Sequence, residues 1–326
     1  QLSPLTLYDP FPASAGFPLP ASGITYQRDL RTPYQQQWSV DLQQELQHDL
    51  LLGVSYVGSK GTNLIGARDI NQPLASSELV NLRPLPQYAD INQIESSGNS
   101  TYHALQVRLQ QRLSSGLMFL ASYSWSHSID SSSTLFPSAG DANFPQDSFN
   151  LRAEKGSSSF DIRHRLSFGF SYDLPFGRGG QFLPNLGRFG SFLLSNWQAD
   201  GILTLQSGYP FTPLLRADNS NTGISSLGIM AGDRPHLVGN PKLANPGPAG
   251  WVNATAFAVP SFGSFGNAGR NILTGPGFRN IDFSLLKNMS LTEDLNLQFR
   301  TEFFNLFNNP NFDLPDPFVD SPLTFG

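Results

Sequence analysis

The chain has 326 residues, a formal net charge of −5 and no cysteine. The acidic balance leaves no basic footprint for nucleic acid, and the lack of thiols excludes thiolate metal sites, a cysteine nucleophile and a disulfide framework, while fitting an oxidising compartment. Charged residues are only 14% against about 25% in a typical soluble domain, aromatics reach 12%, and 30 Gly with 25 Pro leave little room for long helices.

Taken in chain order, one pattern recurs. In 34–46, Trp38, Val40, Leu42 and Leu46 alternate with Gln37, Ser39, Asp41, Gln43 and Glu45. Residues 50–58 carry a weaker version. In 102–113, Leu105, Val107, Leu109 and Leu113 oppose Gln106, Arg108, Gln110 and Arg112. In 117–129, Phe119, Ala121, Tyr123, Trp125 and Ile129 oppose four serines. In 160–174, Ile162, Leu166, Phe168, Phe170, Tyr172 and Leu174 oppose Asp161, Arg163, Arg165, Ser167, Ser171 and Asp173. Residues 196–207 and 279–289 repeat the pattern more weakly. A period of two over this many segments predicts strands. In 295–307, Leu295, Phe299, Phe303 and Phe307 also fit one helix face. The clearer segments favour reading it as an eighth strand.

The links alternate in length. Those at 47–49, 114–116 and 290–294 are short, and 175–193 is intermediate. Those at 66–100, 130–159 and 208–278 are long and rich in Gly, Pro, Ser and Asn. Short turns at one end and long loops at the other are the pattern of an outer-membrane β-barrel. The expected fold is therefore all-β, an antiparallel up-and-down transmembrane β-barrel. A soluble sandwich would show the same alternation, with its apolar face against a second sheet. Three details favour lipid. The apolar faces carry Trp38, Tyr56, Tyr123, Trp125, Tyr172 and Trp197 near their ends, where Tyr and Trp suit a membrane interface. Charge on those faces is nearly absent, Lys287 at a strand end being the exception. The strands run about ten residues, enough to span a bilayer when tilted. No run of about 18 apolar residues predicts a transmembrane helix.

The segments 32–46, 51–64, 102–130, 160–179 and 196–212, with the loop pieces GDRPHLVGNP (232–241), WVNATAFAVP (251–260) and 265–288 and the closing FRTEFFNLFNNPNF (299–312), together resemble the barrel domain of Oar-like TonB-dependent transporters, common in Acidobacteria. The resemblance covers nearly the whole chain in order. It implies the outer membrane of a Gram-negative-type bacterium and a roughly 22-stranded barrel with a plugged lumen. It also implies energised uptake of a bulky ligand by way of the TonB complex. Against that pattern, residues 1–326 are expected to form the C-terminal portion of the barrel, about eight strands. The plug, the N-terminal carboxypeptidase-regulatory-like domain and the last strand would be missing, and an opening Gln1 without a signal peptide fits a fragment or processed chain. Such a piece has open sheet edges, which lipid penalises, so it is not expected to be a stable membrane protein by itself, and an open curved sheet is expected rather than eight strands forced shut.

No catalytic or metal constellation is found, and neither a cofactor nor an enzyme activity is expected. The five histidines lie scattered, and GSFGNAG (263–269) lacks the strand and helix that a phosphate loop needs. DIRHR (161–165) reads as a charge ladder near the outer rim or as a contact for an anionic ligand or the plug. The lumen-facing candidates for ligand or plug contact are Arg108, Arg112, Arg163, Arg165, Asp200, Asp282, Arg300 and Glu302. They share a face by parity without being placed at one height. Tyr209, Phe211 and Trp251 are loop aromatics, for packing or for ligand. The expected partners are outer-membrane lipid, the receptor's own plug, the TonB complex and a transported ligand. Two other functions stay open: a non-transporting porin or adhesin barrel, and a secreted soluble glycan-binding β protein.

Overall fold

The computed structural model describes residues 20–46, 49–78, 83–134, 144–177, 181–223, 232–291 and 295–326. In chain order the strands are β1 (Ala21–Tyr26), β2 (Tyr34–Glu45), β3 (Leu50–Asp69), β4 (Tyr88–Ser114), β5 (Leu117–Asp130), β6 (Gly156–Ser157) and β7 (His164–Asp173). A short helix α1 (Arg188–Leu194) leads into β8 (Trp197–Gln206), β9 (Pro210–Phe211), β10 (His236–Leu237), β11 (Lys242–Gly247), β12 (Gly250–Val252), β13 (Phe257–Ala258), β14 (Leu273–Thr274), β15 (Phe278–Ser290) and β16 (Asn296–Phe303). No described helix is long and apolar enough to cross a membrane.

The main sheet runs β16-β15-β8-β7-β5-β4-β3-β2, with every neighbouring pair antiparallel. Strands adjacent on this path follow one another in the chain, apart from the short pieces between them, so the topology is up-and-down. The path is open: among the described residues nothing pairs with the free edge of β2 or of β16. β1 adds a parallel strand beside the start of β4, and β6 pairs with the end of β5.

Sequence periodicity located the strands but not all of their ends. β3 and β4 continue far beyond 58 and 102, pairing to Asp69↔Asn92 past register slips around Leu64. The expected loop at 66–100 is thus largely a projecting hairpin, with residues 70–87 as its connection. β7 starts at His164 rather than 160, because the Asp161 carboxylate leaves the ladder. Its Oδ1 accepts from the Ser128 amide at 2.7 Å and its Oδ2 meets His127 Nδ1 at 2.8 Å. A side chain thereby takes the backbone amide that a strand carbonyl would have accepted. β16 ends at Phe303, and Asn305 at φ 46° turns the chain away.

The turns follow from their residues. Ser115 and Gly116 join β4 to β5 with φ of 52° and 78°, the double left-handed geometry that matches the twist of a two-residue hairpin. The links at 47–48 and 292–294 lie outside the described residues.

Burial is inverted relative to a soluble protein. The apolar face of the sheet is open, with Val40 68%, Leu42 71% and Phe299 52% exposed. The hydrophobic core lies instead in the long loops, where Phe211, Val252, Ala256, Phe257 and Leu273 pack with Phe325. The segment after β16 crosses into this cap, where Val319 N donates to Leu214 O at 2.9 Å and Arg216 stacks on Phe318 at 4.0 Å.

Candidate functional site

Register gives each face of the sheet a definite membership, because directly paired residues point the same way. On one face, Leu52, Leu109, Ala121, Phe168, Leu203 and Ile281 form a continuous row. The other face carries Gln43, Gly53, Arg108, Ser122, Ser167, Thr204 and Asn280 in the next row. The separation of greasy from polar side chains runs from β2 to β16, with Arg279 and Lys287 as cations on the greasy face of β15 and Ile202 and Leu286 among the apolar residues on the polar face.

The six aromatics of the greasy face fall into two groups. Trp38, Tyr56, Tyr123 and Trp125 lie toward the long loops, and Tyr172 and Trp197 toward the short turns. The phenols bind histidines of their own face, Tyr56 to His103 and Tyr123 to His164, each at 2.8 Å. The Trp197 Nε1–H donates to the Leu193 carbonyl of α1 at 2.9 Å. Three of the six polar tips, those of Tyr56, Tyr123 and Trp197, thus have a partner. From Tyr172 to the row of Trp38 and His103 is about ten residues, which at ~3.4 Å each and a ~45° tilt is about 24 Å of height.

On the polar face the charges segregate. Arg108 lies across from Ser122 and Arg165 across from Ser124, so two cations flank the serines of β5. Asp200, Asp282 and Glu302 cluster on β8, β15 and β16, where Ser284 pairs with both Asp200 and Glu302. Arg300 stands at 3.6 Å from Glu302 on the same strand. Arg112 continues this face at the short-turn end, its amide donating to Asp49 O at 3.1 Å. Arg108 sits at mid-height, in the row of Gly53 and Ser122.

Arg163 departs from the expected set. It precedes β7, and its guanidinium contacts Asp161 at 3.1 Å and His127 Nε2 at 3.1 Å. His127 belongs by register to the greasy face, so Arg163 is held at the rim and not among Arg108 and Arg165.

Sequence reasoning missed the charge network that binds the loops to the sheet. Arg270, 2% exposed, pairs with Asp130, donates to Glu154 O at 2.8 Å and to Ser133 at 3.2 Å. Arg234 pairs with Glu154, and Arg83 bridges Asp69 at 2.8 Å and Asp90 at 2.6 Å. Buried arginines in long loops give no periodic signal, and only the pairing of opposite charges across distant segments reveals them. Asp233 is fully buried, its Oδ2 accepting from Ser220 N at 2.6 Å and its Oδ1 left without a partner. Burial pushes its pKa up to about 6, since desolvation disfavours the charged form. Of the loop aromatics, Phe211 is in the core, Trp251 donates to Thr274 O at 2.7 Å, and Tyr209 is 40% exposed.

A family model described as outer membrane beta barrel domain matches residues 1–326. The chain belongs to this family. Its location is therefore the outer membrane, and the secreted soluble alternative falls away. Among solved structures, this barrel domain is similar to the outer membrane transporter YddB from Escherichia coli. The likeness has 11% identity and a TM-score of 0.47, covering 88% of this chain and 30% of the transporter. The domain thus spans less than a third of that protein's length. No curated protein matches the chain.

Proposed function

We propose that this domain is the barrel wall of an Oar-like TonB-dependent receptor, taking up a bulky ligand through a plugged lumen. The observation that carries the reading is the two-faced sheet. Its greasy face suits lipid, while its polar face sets Arg108 and Arg165 apart from Asp200, Asp282 and Glu302. Between them stand the small side chains of Ser122, Ser124, Ser167 and Ser171, which leave room for an occupant of the lumen. The partners in this reading are outer-membrane lipid, a plug domain, the TonB complex and the ligand. No catalytic step is assigned to it. The sequence resemblance set out above points the same way.

A porin or adhesin would also use a loop cap with its own core, as formed around Phe211 and Phe257. Planar-bilayer conductance of the protein purified from outer membranes separates them. The receptor reading expects a closed, non-conducting barrel and ligand uptake abolished when the TonB complex is removed. A steady open channel, or uptake unaffected by that removal, would contradict it.

A further inference from the structure

A cavity of about 520 Å³ opens where the β3–β4 hairpin meets the end of β5 and residues 144–155. Its charged lining is Lys60, Arg152, Lys155, Asp130 and Glu154. Both carboxylates are already neutralised, Asp130 by Arg270 and Glu154 by Arg234. The three cations have no carboxylate partner among the described residues, and the Lys60 ammonium reaches only the Thr101 hydroxyl at 3.4 Å. Ser97, Ser100 and Ser131 add hydroxyls to the wall. Cations and hydroxyls around one cavity suit a phosphate, which takes charge-assisted hydrogen bonds from both.

Register fixes where this cavity stands. Gln36, Lys60, Thr101 and Ile129 form one row, two residues beyond the row of Trp38, Gly58, His103 and His127 and on the same face. Two residues of tilted strand add about 5 Å of height. Lys60 and Thr101 therefore sit just above the aromatic group at the loop end, on the lipid side of the wall, while Ser100 and Asp130, paired one residue on, line the cavity from the polar side. That is the height of lipid headgroups, and the cavity is of a size that small molecules fill.

We propose that this cavity binds the phosphate of an anionic lipid headgroup, a phosphorylated sugar lipid of the outer leaflet. The inference rests on the greasy face meeting lipid. Lys60, Lys155 and Arg152 hold the phosphate, and the buried Arg270 and Arg234 keep Asp130 and Glu154 from repelling it.

The test uses the protein purified from outer membranes in neutral detergent. It is titrated with a bis-phosphorylated diglucosamine lipid, with phosphatidylethanolamine and with inorganic phosphate. Saturable binding of the phosphoglycolipid, weakened by salt, is expected. The double variant Lys60→Gln/Lys155→Gln should bind it roughly thirtyfold more weakly, in line with the attraction each basic residue adds at an anionic surface. The charge-preserving Lys60→Arg/Lys155→Arg should retain binding, and the distant Lys242→Gln should match the parent. Equal binding by the glutamine variant and the parent overturns the proposal. So does inorganic phosphate binding as tightly as the lipid, which would identify a soluble-anion site. A fluorophore at Val40 separates the two levels of inference. If lipid-borne bromine leaves it unquenched, the lipid-facing reading fails. If it is quenched while the glutamine variant binds normally, the cavity assignment alone fails.

Discussion

Lys287 lies directly across from Trp197 in the sheet, its ammonium 5.2 Å from the indole centroid and donating to the Ser195 carbonyl at 2.6 Å. A lysine on a greasy face is thus accommodated at the short-turn end by an aromatic surface and a backbone acceptor. A cation over a ring contributes about 0.5–1 kcal/mol when exposed and about 2 when desolvated. In a double-mutant cycle with Lys287→Met and Trp197→Leu, a coupling of about 1 kcal/mol is expected in urea unfolding of the lipid-reconstituted protein. Additive effects would show that the two residues merely neighbour one another.

Depth decides which charged substitution is costly. The alternation in 295–307 suggests that Phe299→Arg should block assembly and Gln298→Arg should not. Register places Phe299 opposite Lys287, near the interface, where an arginine costs only about 0–1 kcal/mol. Phe168 lies in the middle row, between Ala121 and Leu203. There Phe168→Arg is expected to cost about 2–4 kcal/mol and to deplete the assembled protein in outer-membrane fractions, while Ser167→Arg assembles normally. Equal yields of the two would contradict the assigned facing.

The strands were legible where lipid imposes a period of two, as in Leu105, Val107 and Leu109 against Gln106 and Arg108. They were illegible where it does not. The extension of β3 through Asn63 and Asp69, and of β4 from Tyr88, continues the backbone ladder beyond the apolar band. Lipid meets neither face there, and the loops bury polar residues such as Asp69 and Glu95, so neither parity must be apolar and the alternation fades while the pairing persists. Asp161 was misread as a strand residue because parity cannot see a carboxylate taking a backbone amide. The polar-face candidates were assigned to one face by parity, but the placing of Arg108 and Arg165 on β4 and β7 and of Asp200, Asp282 and Glu302 on β8, β15 and β16, with Arg300 beside Glu302, needed the strand order and register.

The loop cap should respond to pH through Asp233. Its folded pKa of about 6 lies above the unfolded 3.8, so the folded state binds the extra proton between these values. Its contribution is full below about pH 4, declines as pH rises to about 6, and is flat above. The change is on the order of 3 kcal/mol. Hydrogen exchange of the loop amides should quicken from pH 4 to pH 6 after correction for intrinsic rates, and Asp233→Asn should abolish the trend. A parent cap that grows more protected over that range would contradict it.

Gly266 should matter for the cap alone. A Cβ there would collide with the Arg234 and Pro235 carbonyl oxygens, and the Gly266 carbonyl accepts from Gln146 at 3.1 Å. Gly266→Ala is expected to open the loops to limited proteolysis while heat-modifiable mobility of the barrel on electrophoresis is unchanged. Loss of both would mean that the cap and the sheet form one cooperative unit.

The central claim is the facing of the sheet, and β7 tests it most directly. The chain contains no cysteine, so single cysteines at positions 165 to 170 can each carry a fluorophore in membranes with brominated lipid. Quenching at 166, 168 and 170, with none at 165, 167 and 169, is the expected result. Uniform quenching, or quenching at the odd positions, would contradict a wall with lipid on the side of Phe168 and water on the side of Arg165.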